Sequence, residues 1–277
     1  MAVLEEAKIR RRLPADANRL LSRLELFDAI DSTSSYLLEQ PGPDVGCLHI
    51  AIANRQTAGR GRGKKQWHSP AGGGLWMSGA YTFAALPENL SALTIAIGVG
   101  AANSLDQLGV KDICLKWPND LLIGGRKLGG ILLDSTAAGA ANLTVVCGLG
   151  INTDLGDAGK IAKASAENKD LLPIDLKSVL AKPPGRHRFA AAMIGSLAAT
   201  LRQYAADGFS PFAADWDRLD WLKGRHIVVT QQQQVREGVA GGIADNGALI
   251  VRDGEGDAHH IVSGTVRLRD KRKAPGE

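Results

Sequence analysis

The residues from Arg55 to Lys65, RQTAGRGRGKK, carry five positive charges, no negative one and three glycines. About sixty residues on, the chain reads KWPND from Lys116 to Asp120. A glycine-rich backbone can wrap its N–H groups around a phosphate, and arginines fork onto phosphate or carboxylate oxygens. Two such motifs suit the holding of two anions side by side, which is what an enzyme joining a carboxylate to a nucleotide requires.

Each motif also has a plainer reading. A basic, glycine-rich run such as Gly59 to Pro70, GRGRGKKQWHSP, serves equally as a solvated surface loop or as an RGG-like stretch for RNA. Trp67 adds an aromatic able to stack on a base or to steady a closed loop. KWPND makes a turn between strands, with Asn119 and Asp120 bonding their own backbone. That turn leaves the lysine unexplained. Lys116 ends an apolar strand-like run, no acid precedes it closer than Asp112, and a partly buried cation needs an anionic partner.

The chain of 277 residues, 44% apolar and 22% charged, is long enough for a full core and for a second small domain. The net charge of +4 gathers at Lys8 to Arg12, in the Arg55 to Lys65 loop and in the tail from Arg267 to Lys273. A nucleic-acid binder usually spreads such charge over a whole face. Cys47, Cys114 and Cys147 are odd in number and lack CxxC spacing, so they read as reduced thiols in strand-like runs. There is no secretory h-region and no long uncharged span, which makes the expected protein globular and cytoplasmic, with no membrane partner.

The elements that must position these motifs follow from periodicity. Residues 14 to 26 place Leu20, Leu21 and Leu24 at helical spacing, with a short strand over Leu26 to Ile30. Asp31 to Ser34 supply N-cap candidates for a helix through Glu39. Strands are expected over Cys47–Ala53, Gly74–Phe83, Ile113–Trp117, Leu121–Ile123, Leu128–Leu133 and Leu143–Ile151, with a hairpin turn at Gly124-Gly125. Helices are expected over Pro87–Leu108, along the Phe189, Met193, Leu197, Leu201, Tyr204 stripe, and around Phe212, Trp216 and Leu219. An Ala/Gly turn falls at 137–141, and residues 154 to 185 form a polar excursion with one short helix. From Gly224 four short β runs, Ile227–Thr230, Val235–Ile243, Ala248–Val251 and His260–Val266, read as a small barrel. This divides the chain into a catalytic domain of residues 1–223 and a barrel domain of residues 224–277. Adjacent histidines on a strand point to opposite faces, so His259 and His260 are poorly placed to share a metal; no metal ligands stand out.

In order, DSTSS, Q-x-x-G-R-G-R, KWPNDL, RKLGGILLD and CGLGINTD resemble the biotin protein ligases, the biotin–[acetyl-CoA-carboxylase] ligase family, from about Leu26 to the C-terminus. The resemblance implies an α+β fold, a central mixed β-sheet flanked by helices, as in class II synthetases, with a small SH3-like C-terminal β-barrel. It implies attack of the biotin carboxylate on the α-phosphate of ATP to give biotinyl-5′-AMP, with Mg2+ accompanying the nucleotide. A lysine of a biotin carboxyl carrier protein, of acetyl-CoA carboxylase or a related carboxylase, then takes the biotinyl group.

By the same resemblance Lys116, Arg60 and Arg62 are the catalytic cations. Ser32, Thr33, Ser34 and Gln56 meet the polar atoms of biotin, with Arg60, Gly61, Arg62 and Lys116. Gly130, Gly148 and Gly150, beside Ile131, let the ligand lie close to the sheet. Arg62, Trp67, Lys116, Asn119, Asp120, Lys127 and Asn152 face ATP. Each has a bland counterpart: Ser32 and Thr33 as helix caps, Lys127 as a hairpin residue, Asn152 as a turn former. Two departures stand out. Ser34 occupies a place where relatives often carry Asn, and the loop reads GRGRGK where the best-known bacterial form is GRGRRG. Bacterial members that double as repressors place a winged helix-turn-helix of about sixty residues ahead of the catalytic part; only about twenty-five residues precede the similarity here, so no nucleic-acid partner is expected. The resemblance leaves monomer and homodimer open. The alternatives are a lipoate or octanoate ligase or transferase of the same fold, and a non-catalytic nucleic-acid-binding module.

Overall fold

The computed structural model describes residues 4–137, 142–156 and 171–269. The predicted turn at 137–141 falls almost wholly outside these, as do the middle of the 154–185 excursion and the end of the basic tail. Two short helices, α1 (Glu6–Arg10) and α2 (Ala15–Leu20), lead into β1 (Leu21–Ile30). Here the helical spacing misleads: Leu21 and Leu24 belong to the strand and bury one of its faces, because a leucine pair three apart reads alike at the end of a helix and across a strand's irregular start. In parallel with β1 lies β2 (Leu48–Gln56), and the helix α3 (Thr33–Glu39) provides the crossover that parallel strands need.

The remaining strands of the large sheet are antiparallel: β3 (Gly74–Phe83), β4 (Ile113–Lys116), β5 (Asp120–Ile123), β6 (Arg126–Ala137) and β7 (Leu143–Asn152). The spatial order is β1-β2-β3-β7-β6-β5-β4. Gly124 and Gly125 join β5 to β6 with φ of 56° and 72°, a pair of left-handed residues that a two-residue hairpin needs and that glycine adopts without steric penalty. β6 runs well past the predicted Leu133, paired with β7 from Gly129 to Ala137.

Alternation sorts this sheet into two unlike faces. Leu48, Ile50 and Ile52 of β2, Leu75 and Met77 of β3, and Cys147, Leu149 and Ile151 of β7 join one hydrophobic core. Over them pack α4 (Leu90–Gln107) and the long α6 (Arg186–Asp207), which follows the single turn α5 (Leu176–Val179) and precedes α7 (Ala213–Leu219). The opposite face carries small residues. There Leu37 of α3 packs on Ala51, Ala80 and Val146, and toward the other end Ser78, Gly148, Gly150 and Gly130 form a bare floor.

A separate C-terminal domain is a five-stranded antiparallel sheet: β8 (His226–Gln231), β9 (Gln234–Ile243), β10 (Leu249–Arg252), β11 (Ala258–Ile261) and β12 (Thr265–Leu268), in the order β11-β10-β9-β8-β12. The run from His260 to Val266, expected as one strand, is two strands at opposite edges of this sheet. It breaks at Val262–Gly264, where the chain must cross over. The domain sits on the larger one through backbone contacts: Trp117 Nε1 donates to the Gly247 carbonyl at 3.0 Å, and Ser91 Oγ to that of Asn246 at 2.8 Å.

Gly247 is therefore pinned twice. Its φ is +79°, and a Cβ there would stand 2.8 Å from the Ala92 backbone. Left-handed backbone is strained for a branched side chain and the clash adds to it, so Gly247→Val should lower unfolding free energy by about 2–4 kcal/mol. The shift of the urea midpoint measures it.

Candidate active site

A crevice of about 670 Å³ opens on the bare face of the large sheet. Its floor is β3, β6 and β7, where Gly130, Gly148 and Gly150 keep the surface low. One wall is the start of α3, another the loop after β2, a third the KWPND turn between β4 and β5. Thr265 and Val266 of the C-terminal domain complete the rim. All the predicted site residues line this one space: Ser32, Thr33, Ser34 and Gln56 at one end; Arg60, Gly61, Arg62 and Trp67 along the loop; Lys116, Asn119, Asp120, Lys127 and Asn152 at the other; and Ile131 beside the glycines.

The hydroxyl end is a closed network. Ser32 caps α3, its side chain accepting from Ser35 N at 3.3 Å. Thr33 donates its backbone N–H to Gln56 Oε1 at 2.9 Å, and its hydroxyl lies 2.7 Å from Ser78 Oγ. Ser34 Oγ lies 2.9 Å from the same Ser78 oxygen. Gln56 Nε2 donates to Ser69 Oγ at 2.7 Å. Ser34, Ser78 and Thr33 are all buried, so their rotatable hydroxyls can be re-aimed at a ligand without exposing an unpaired group. Gly148 is glycine because a Cβ there would meet Ser34 Oγ at 2.8 Å. Its clearance thus serves α3.

The basic loop is a miniature hairpin. Trp67 N–H donates to Gly59 O at 2.8 Å and Gly61 N–H to Lys65 O at 2.7 Å. The tip is a single 3-10 turn over Arg62–Lys64, with Gly63 at φ 65°. The two arginines point apart. Arg60 Nη1 lies 3.1 Å from Asp134 Oδ2 on β6. Arg62 Nη2 donates to Gly264 O of the C-terminal domain at 2.6 Å. Burial pulls the Arg62 guanidinium below its usual range, partly offset by the charge of Asp120.

Trp67 lies over the glycine floor. A Cβ on Gly150 would come within 2.7 Å of its indole, the ring stands edge-on to Trp76 at 6.4 Å, and its buried Nε1 has no hydrogen-bond partner among the described residues. Above the same ring, 5.2 Å from its centroid, is Lys127 Nζ, which pairs with Asp120 at 2.6 Å. Lys116 is buried, with Nζ 5.9 Å from the Trp221 ring. Two predicted nucleotide contacts brace the frame. Asn119 Nδ2 donates to Ile131 O at 2.7 Å, and Asn152 Nδ2 to Ile174 O at 3.0 Å. Asn152 thereby ties the 154–185 excursion to the floor, and Leu155, Leu171 and Pro173 of that excursion line the crevice.

Reading the sequence missed Ser78, which shows there only as a hydroxyl inside the apolar run GLWMSGAYTF, and Asp134, an acid inside GGILLDST. It also missed the rim at Gly264 to Val266, which no local pattern marks.

The family model described as Biotin/lipoate A/B protein ligase family matches residues 26–152, and that described as Biotin protein ligase C terminal domain matches residues 223–269. The chain is 30% identical over 263 residues to the bifunctional ligase/repressor BirA of Escherichia coli, covering 93% of this chain and 79% of that protein. It is 28% identical to the biotin–[acetyl-CoA-carboxylase] ligase of Paracoccus denitrificans, over 80% of this chain and 91% of the relative. Among solved structures, the biotin protein ligase of Aquifex aeolicus in complex with biotin and ATP superposes with a TM-score of 0.73 at 23% identity, over 90% of this chain and all of that one. A chain of this likeness, with both matched regions in order and the predicted motifs gathered in one crevice, belongs to the biotin protein ligase family.

Proposed function

We propose that the crevice activates biotin with ATP as biotinyl-5′-AMP and passes the biotinyl group to a lysine of a biotin carboxyl carrier protein. The observation that carries this reading is the meeting, in one space, of a hydroxyl-and-amide end suited to a neutral polar ring and a cationic end suited to two anions. A carboxylate and a triphosphate repel each other, and positioned cations offset that charge as the bond to phosphorus forms. Arg60, Arg62 and Lys116 take this role, and Lys127 joins them, since its ammonium lies over the glycine floor beside Gly130. Ser32, Thr33, Ser34 and Gln56 hold biotin, with Gly61, Gly130, Gly148 and Gly150 giving it clearance. Trp67, Asn119, Asp120 and Asn152 shape the nucleotide end, where the unpaired Trp67 N–H is a donor awaiting an acceptor.

Magnesium fits as the nucleotide's companion. Among the described residues no cluster of three His, Cys, Asp or Glu side chains is placed to hold a resident metal. Magnesium characteristically keeps its waters and takes one or two carboxylates plus phosphate oxygens, and Asp120 is the carboxylate at the phosphate end. When bound, the ion neutralises phosphate charge.

The relatives carry the names of biotin ligases, which favours biotin over a straight-chain lipoate or octanoate substrate. No helix of the described residues is long and apolar enough to cross a membrane. A cytoplasmic enzyme, monomeric or homodimeric and without a nucleic-acid partner, with a catalytic domain of residues 1–223 and a second domain of residues 224–277, is the form this reading takes.

Incubated with biotin, ATP, magnesium and a carrier domain, the folded protein should add one biotinyl mass to the carrier. An unmodified carrier in the presence of intact enzyme rejects the reading. Removing one preorganised cation characteristically lowers the rate by about 10²–10³. Lys127→Ala and Lys116→Ala should each slow biotin-dependent exchange of pyrophosphate into ATP by that factor, and the larger loss identifies the lysine nearer the reacting phosphate.

A further inference from the structure

The basic hairpin separates two spaces, and the ligand crevice is one of them. Behind it lies a second cleft of about 500 Å³, bounded by the hairpin from Ala58 to Gln66 and by Leu132 and Asp134 of β6. Arg60, Gly61, Gly63, Lys65, Gln66 and Leu132 border both spaces, whereas Asp134 borders the second alone. Leu132 and Asp134 share a face of β6, so the carboxylate stands about 7 Å further along the strand from the crevice floor.

Asp134 is poorly satisfied where it sits. Arg60 Nη1 approaches its Oδ2 to 3.1 Å, and Arg60 Nη2 its Oδ1 to 3.5 Å. Yet Oδ2 is buried and, among the described residues, has no partner in hydrogen-bonding geometry. A buried carboxylate oxygen held only by an off-line ion pair is a strong acceptor left open. The same guanidinium is the one the adenylation chemistry draws to the crevice side of the hairpin.

Resting on the biotin-ligase reading above, we propose that the second cleft is the entrance for the acceptor and that Asp134 recognises the ammonium group of the incoming lysine. While Arg60 sits on Asp134, the cleft is closed to another cation. Once the adenylate's phosphate takes Arg60, Asp134 is left as a half-buried carboxylate facing a vacated cleft, and a lysine ammonium is the charge that compensates it. The exchange of one cation for another sets the order of the two half-reactions, because the acceptor finds its anchor only after the adenylate has formed. It also favours, over water, an acceptor that arrives as an ammonium; that group gives its proton up to solvent before the neutral amine attacks the adenylate carbonyl and AMP leaves.

The two halves of the reaction can be read separately. With biotin and ATP supplied, adenylate is trapped by hydroxylamine, which is neutral at pH 7 and needs no carboxylate, while transfer is followed on the carrier domain. Asp134→Asn should raise the KM for the carrier at least tenfold while hydroxylamine trapping changes less than threefold. A carrier KM within twofold of wild type overturns the proposal, and so does a parallel loss of trapping and transfer, which would make Asp134 a support for Arg60. Should the variant fold poorly, the unaltered enzyme decides. Propylammonium should inhibit transfer competitively with the carrier and leave trapping untouched, and absence of that inhibition overturns the proposal equally. Failure of the wild-type enzyme to form any trappable adenylate would instead remove the biotin-ligase reading itself.

Discussion

Two anions must be brought into contact on a surface that has to stay uncharged enough to bind a vitamin, and the cations that make this possible cannot be left bare beforehand. An unpaired cation in a half-buried crevice carries a desolvation penalty of several kcal/mol. Three of the cations around this crevice rest on an oxygen of the protein: Arg60 on Asp134, Arg62 on the Gly264 carbonyl, Lys127 on Asp120. None of these contacts is deeply buried on both sides, so each is weak enough for a phosphate or carboxylate to displace. Two of these cations are matched by a carboxylate and the third by a carbonyl dipole, so each already has an oxygen partner that an incoming anion would have to replace.

The two arginines lie on a hairpin rather than on the sheet, and that placement decides what each can reach. Arg60 lies on the paired arm opposite Gln66 and Arg62 in the 3-10 turn at the tip, and they reach β6 and the C-terminal domain respectively. The contact of Arg62 with Gly264 also gives the small domain a part in the site: the first two residues of β12 form rim, and the Arg62 guanidinium links the loop to that domain.

Much of this was legible in the sequence, and for physical reasons. Alternation and glycine placement gave β3, the β5–β6 hairpin and the α3 cap, because each depends on residues within a few positions of one another. The motif residues fell in one crevice because strand ends and tight turns fix where their side chains emerge. What sequence could not reveal was what each charge rests on. Asp134 lies 74 residues from Arg60 and Gly264 lies 202 from Arg62, and no local pattern encodes such pairs. Likewise Gly148 and Gly150, read as clearance for a ligand, turn out to make room for Ser34 and Trp67 as well. The Leu20 to Leu24 stretch misled because its spacing suits two structures at once.

The departure GRGRGK places a glycine where the backbone of this turn calls for one. Where the familiar form has arginine, this chain has Gly63, and its backbone there is left-handed at φ 65°. Such a conformation costs a side-chain-bearing residue about 1–2 kcal/mol and glycine nothing. The positive charge moves one residue along to Lys64 while the turn gains the residue its backbone favours. Meanwhile the two arginines that reach β6 and Gly264 keep their spacing to each other and to Trp67. An unstrained tip lets the hairpin hold Arg60 and Arg62 on their partners without a backbone penalty, whereas a side chain at this position would have set turn strain against those two contacts.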